Sequence, residues 1–126
     1  MGYRSDVTCI MYSRDPNGKR DEAGMAFIKA WLNSQMAEED RDLFDFDLPD
    51  MVVFSVERWK WYDSYPDIQR LEKLFEDFME LCAEYGSSYH MEFMRVGENY
   101  DDVELRISNY AQGLLGLNRS IYIHGE

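Results

Sequence analysis

Residues 63–96 read DSYPDIQRLEKLFEDFMELCAEYGSSYHMEFMRV, and a change of period inside this stretch decides the fold. From Pro66 to Tyr85 the apolar residues recur at helical spacing. Ile68, Leu71, Phe75, Phe78 and Cys82 form one stripe, widened by Leu74, Leu81 and Tyr85. Arg70, Glu72, Lys73, Glu76, Asp77, Glu80 and Glu84 fill the other side. That pattern predicts an amphipathic helix lying on a core. Ser64, with Asp67 three residues on, resembles a capping box. Pro66 suits the first helical turn, and Gly86 suits a left-handed C-cap. Beyond Gly86 the period falls to two. Tyr89, Met91 and Phe93 alternate with His90, Glu92 and Met94, which predicts a strand.

Working back toward the N-terminus, residues 51–59 (MVVFSVERW) are β-branched and aromatic and predict a strand. Their first half is apolar on both faces, which places it centrally. Residues 6–13 (DVTCIMYS) predict another, closed by the turn Asp15-Pro16-Asn17-Gly18. Between them, Ala23, Phe27 and Trp31 recur every four residues with Ile28 and Leu32 alongside, so a helix is predicted over 20–36. Toward the C-terminus, residues 103–108 and 120–124 alternate as strands, and Gly113-Leu114-Leu115-Gly116 reads as a turn. The order is β-α-β-α-β-β-β in a single domain, 1–126. It predicts an α+β two-layer sandwich, a mixed sheet of about five strands with two helices on one face. Each β-α-β crossover should be right-handed. The other face then calls for polar residues or a second copy, and the aromatic content points to a homodimer or higher oligomer.

A chain of 126 residues is one domain by size. Its 45% apolar and 15% aromatic content excludes a disordered chain, and two cysteines exclude a disulfide scaffold. No apolar run approaches the ~20 residues of a membrane span. The start MGYRSDVTCIMYSRD has no signal-peptide pattern. The expected location is therefore cytoplasmic, with Cys9 and Cys82 reduced.

The net charge is −12, from 25 acidic and 13 basic residues. That opposes binding to nucleic acid and to anionic membranes, and favours basic protein partners. Half of it is concentrated in residues 38–50, EEDRDLFDFDLPD, where seven carboxylates surround the single cation Arg41. Glu38, Glu39, Asp40, Asp42, Asp45 and Asp47, with Phe44 or Phe46 as apolar anchor, are candidate partner-binding residues. The competing reading is a connecting loop whose aromatics dip into the core.

Arg58-Trp59-Lys60-Trp61-Tyr62 alternates cation and aromatic. Rings beside cations stack bases and hold phosphates, and they also enrich interfaces. With Tyr65 and Arg95 these residues form a candidate ligand pocket. Alternatively, Trp59 and Trp61 fill the core at a strand end while the cations stay wet. No enzymatic signature accompanies them. There is no G-x-S-x-G, no phosphate loop and no Cys/His cluster for zinc. Cys9 and Cys82 fall in apolar stripes and His90 and His124 in strands. The expectation is no enzyme, no cofactor and no metal.

Four segments together resemble a group of small phage and prophage proteins. They are the opening Met1-Gly2-Tyr3-Arg4-Ser5-Asp6-Val7, then Lys60-Trp61-Tyr62-Asp63-Ser64-Tyr65-Pro66-Asp67, then Phe93-Met94-Arg95-Val96-Gly97-Glu98 with Asp101-Asp102-Val103-Glu104, and the closing Asn118-Arg119-Ser120-Ile121. The acidic segment 38–50 lies outside that pattern. The resemblance carries no catalytic residues. It implies a viral origin and expression in a host bacterial cytoplasm. By analogy with small acidic phage proteins, it implies an anti-defence role of the anti-CRISPR or anti-restriction type. The expected function is to bind a host defence protein and block its basic surface. The alternative is an oligomeric sponge for a nucleotide immune signal.

Overall fold

Strand β1 (Ser5–Ser13) is the axis of the sheet in the computed structural model, which describes residues 2–85, 88–99, 101–118 and 120–124. β1 is almost wholly buried because it has a partner on each edge and a layer on each face. The chain then forms α1 (Glu22–Gln35), a 3₁₀ helix at Glu38–Leu43, β2 (Phe44–Asp45), β3 (Val52–Trp59), α2 (Pro66–Glu84), β4 (Tyr89–Gly97), β5 (Val103–Ile107), β6 (Leu115–Asn118) and β7 (Ser120–Ile123). The main sheet runs β2-β3-β1-β4-β5, and β6 pairs with β7 apart from it.

The α+β two-layer arrangement with two helices on one face is present. Every neighbouring strand pair is antiparallel, however, so the sheet is not mixed. The reason lies in how the connections skip. β1-α1-β2 passes over β3, and β3-α2-β4 passes over β1. Each joins strands that are parallel in direction but not adjacent, the interleaved split β-α-β topology of ferredoxin-like sandwiches. β5 extends it by one strand. The fifth strand is also not the one expected: 120–123 leaves the sheet to form the β6–β7 hairpin, and β2 takes the opposite margin.

One row of side chains crosses the helix-facing side, from Phe44 through Phe54, Cys9 and Phe93 to Arg106. Phe75 of α2 lands on this row, 5.3 Å from the Phe54 ring and 5.8 Å from Phe93. Trp31 of α1 meets Phe78 of α2 at 5.6 Å, so the helices share the face. The apolar stripe of α2 is the buried one, from Ile68 to Cys82. Its start is different: Tyr65 caps it without a side-chain hydrogen bond, so the Ser64 capping box does not form, while Pro66 does occupy the first turn. The Gly86 cap lies outside the described residues.

On α1 the buried residues are Gly24, Met25, Ile28 and Leu32, whereas Phe27 is exposed and Trp31 half-buried. The helix is rotated from the expected 23-27-31 stripe because Gly24 presses against β1. A Cβ there would sit 2.1 Å from Ser13 Oγ, which only glycine permits. Asp21 caps the helix by accepting from the Gly24 N–H at 3.1 Å.

The opposite face is covered in part by the β6–β7 hairpin. Gly113 enters it with a left-handed φ of 72°, but Leu115 is already in β6, so the expected turn at 113–116 ends sooner. The hairpin is fastened by Glu92, a carboxylate 1% exposed. Glu92 accepts from Tyr12 O–H at 2.5 Å, Gly113 N–H at 3.1 Å and Leu115 N–H at 3.0 Å.

Candidate functional site

The acidic segment forms the outer margin of the sheet at β2. Its shape follows from alternation. Phe44 turns inward onto Phe54 and Phe75, at 5.1 and 6.4 Å, and Phe46 lies half-buried 6.1 Å from Phe44. Glu38, Glu39, Asp42, Asp45 and Asp47 are exposed. Asp40 is not. It is 5% exposed and accepts two hydrogen bonds from the Arg70 guanidinium of α2, at 2.8 and 2.9 Å. The fork-to-carboxylate geometry is the strong form of ion pair, and Asp40 holds the Arg70 guanidinium above its ordinary range. Lys29 Nζ donates to the Leu48 carbonyl at 2.9 Å, so with the Asp40–Arg70 pair the segment is tied near both ends, and Asp47 N–H donates to Asp45 at 2.9 Å within it.

Two of the candidate partner-binding residues are thereby corrected. Phe44 is a core residue and Asp40 a structural ion-pair member, because each satisfies itself within the fold. Phe46 shows only part of its ring. The five exposed carboxylates remain on one backbone-anchored margin; Arg70 reaches Glu39 at 3.6 Å, and Arg41 is exposed among them.

The Arg58–Tyr62 stretch has a different origin. The β1–β3 register shifts between Ser5 and Val7, which puts a bulge in β3 at Glu57 and Arg58. Arg58 takes a left-handed φ of 58°. The bulge is clamped: Arg58 N–H donates to Asp6 at 2.9 Å, and Arg4 donates to the Arg58 carbonyl at 2.9 Å. Past it, Trp61 turns into the core, 5.9 Å from Phe54 and 6.4 Å from Phe93. Trp59 also packs against the core. Tyr65 is exposed beside Tyr62, with ring centroids 5.1 Å apart.

The six candidate pocket residues do not converge. Arg58 lines an open cleft of about 430 Å³ with Arg4, Asp6 and Glu98. Trp61 and Arg95 line another of about 410 Å³, with Tyr3, Tyr62 and Arg106. In the second cleft the two guanidiniums are outnumbered by Asp63, Glu72, Asp102 and Glu104. Arg95 donates to Asp102 at 2.8 Å and to Glu104 at 3.2 Å; Arg106 donates to Glu104 at 2.6 Å and to Glu72 at 2.8 Å. Tyr3 O–H donates to Asp102 at 2.6 Å. Arg95, then Tyr3, hold the Asp102 carboxyl down to about 2. This network leaves no surplus positive charge for a phosphate.

Nucleophilic chemistry finds no assembled pair among the described residues. Cys9 faces the helices, and burial pushes its thiol well up. Cys82 is pushed up to about 12 by burial. His90 pairs in register with Tyr12 on the opposite face, 4% exposed, its ring held below its usual range by burial and by Arg14. His124 is exposed near Tyr122. No group of three or more His, Cys, Asp or Glu side chains is placed to hold a metal ion among the described residues. No described helix is long and apolar enough to cross a membrane. Comparison with protein-family models, curated proteins and solved structures found no match.

Proposed function

We propose that this chain is a phage-encoded binding protein without catalytic activity. Its β2 margin covers a basic, nucleic-acid-handling surface of a host immune effector in the bacterial cytoplasm. The observation that carries the reading is the margin itself. Glu38, Glu39, Asp42, Asp45 and Asp47 are exposed within ten residues on a segment anchored by Phe44 and the Asp40–Arg70 pair. Fixed like charges of this density raise association rates with a basic surface and repel nucleic acid. The phage origin rests on the sequence resemblance, and the anti-defence role on analogy with small acidic phage proteins.

The test is infection of a bacterial host that carries a nuclease-based defence, with the chain expressed beforehand. The wild-type chain should raise phage plating. A variant with Glu38→Gln, Glu39→Gln, Asp42→Asn, Asp45→Asn and Asp47→Asn should fold normally and not protect. Equal protection by the neutralised variant would sink the proposal.

A further inference from the structure

We propose that β5 is the surface through which two copies of this chain join, edge to edge and antiparallel, about a two-fold axis at Leu105. This is independent of the reading above, because β5 and β2 are opposite margins of the sheet.

β5 has a partner only on its β4 side among the described residues. Ser108 N–H donates to the Met91 carbonyl, and Gly97 N–H to the Asp102 carbonyl. Even-numbered residues of β5 therefore turn their backbone groups toward β4. By the alternation of an antiparallel ladder, Leu105 and Ile107 turn N–H and C=O to the open edge. Proteins usually blunt such an edge with lysine, proline or a bulge. β5, VELRI, has no lysine, proline or bulge, and its two charges, Glu104 and Arg106, are paired with each other and with Arg95 and Glu72. Its solvent-side residues are instead Val103, Leu105 and Ile107, 43%, 53% and 49% exposed. They form an apolar row on the face that the β6–β7 hairpin leaves open.

What identifies the occupant as a second copy is that β5 is complementary to itself. With Leu105 opposite Leu105 of the other copy, Val103 faces Ile107 in both directions, and the apolar row continues across the join. On the other side of the strand, Glu104 faces Arg106 and Arg106 faces Glu104. Cross-strand pairs of opposite charge stabilise a sheet, and like charges directly opposite destabilise it. Shifting the axis by one residue would set Glu104 on Glu104 or Arg106 on Arg106, so charge disfavours both adjacent registers. The pairing also prolongs a ladder already present, in which Arg95 holds Glu104 and Glu104 holds Arg106. A two-fold contact of this kind uses the same patch twice, as closed dimers do. The β2 margin cannot substitute: its strand is two residues long and fringed by carboxylates that repel their own copies.

Light scattering on the eluting full chain, across a concentration series, tests the proposal. Wild type should approach twice the 15.0 kDa chain mass. Glu104→Arg sets arginine against arginine, and Arg106→Glu sets glutamate against glutamate. Each alone should weaken association at least ~10-fold. Mixed in equal amounts, the two variants restore every opposite pair, and the doubled mass should return. That recovery cannot come from unfolded chains. Separately, Leu105→Cys should give a covalent dimer on mild oxidation. Residues opposite in a hydrogen-bonded pair stand about 5.5 Å apart, within disulfide reach. Val103→Cys should not, because residue 103 faces residue 107. A wild-type mass that stays at one chain throughout would overturn the proposal. So would a dimer unchanged in both single charge variants, or a mixture of folded variants that fails to re-form it.

Discussion

Replacing Arg70 with methionine tests how the acidic margin is held. The substitution keeps an aliphatic stem but removes both hydrogen bonds to Asp40. Breaking a fully buried ion pair costs about 3–5 kcal/mol, whereas exposed pairs contribute about 0–1 kcal/mol. Asp40 is deeply buried at 7% side-chain exposure, but Arg70 is 38% exposed, so water reaches the carboxylate once the guanidinium is gone. The loss should fall between the two regimes, at about 2 kcal/mol. With a urea slope of about 1.5 kcal/mol per molar for a chain of this size, the midpoint should fall by about 1.3 M. The half-buried Trp31, Trp59 and Trp61 report the transition by fluorescence. Asp40→Asn alone and combined with Arg70→Met completes a double-mutant cycle, with a coupling of about 1.5 kcal/mol expected. A midpoint shift under about 0.3 M with no coupling would show that the packing of Phe44 alone fixes the margin.

Further outcomes follow from other contacts. Glu92→Ala leaves Gly113 N–H, Leu115 N–H and Tyr12 O–H without their acceptor. It should cost about 3 kcal/mol and raise hydrogen exchange in β6–β7 before the rest of the sheet. Asp102 has a carboxyl held down to about 2, so its contribution is complete above the unfolded value near 4 and is lost as pH falls toward 2. In Asp102→Asn, the drop in unfolding midpoint over that window should be smaller than in wild type. Arg58→Gly should raise stability by up to ~1 kcal/mol, since glycine adopts the left-handed φ without a Cβ clash. Arg58→Ala should not, and thermal melts of the two variants separate strain relief from loss of the side chain.

The helix α2 and strands β1, β3, β4 and β5 were legible because each carries a clean period over several residues. β2 was not. Two residues inside an acidic run show no period, and only the β3 edge makes them a strand. α1 was legible as a helix but not in its rotation. Its apolar arc is wide enough to include Phe27, which stacks on Tyr89 at 5.2 Å at the rim, and the deciding contact is the approach of Gly24 to Ser13. The antiparallel sheet was hidden for a related reason. The order of elements along the chain does not say which strands a crossover skips.

At the candidate site, the alternation of Phe44, Asp45, Phe46 and Asp47 did signal one wet and one dry side. The burial of Asp40 had no local signal, because its partner Arg70 lies thirty residues on in another element. Arg58–Tyr62 showed its period of two but not the bulge that sends Trp61 and Arg58 to different clefts. Glu92 did leave a trace. It is a lone carboxylate between Met91 and Phe93, on the same strand face as Met94, where a buried acceptor is the economical reading.

The position of β1 sets a timetable for synthesis. The earliest strand of this sheet to be synthesised must wait for both of its neighbours, since one edge waits for Trp59 and the other for Gly97. At translation rates of about 5–20 residues per second, that is roughly 2–9 s with neither edge paired and roughly 4–17 s before both are. Throughout that interval Cys9, Ile10, Met11 and Tyr12, all fully buried at the end, have only nascent chain or a chaperone to cover them.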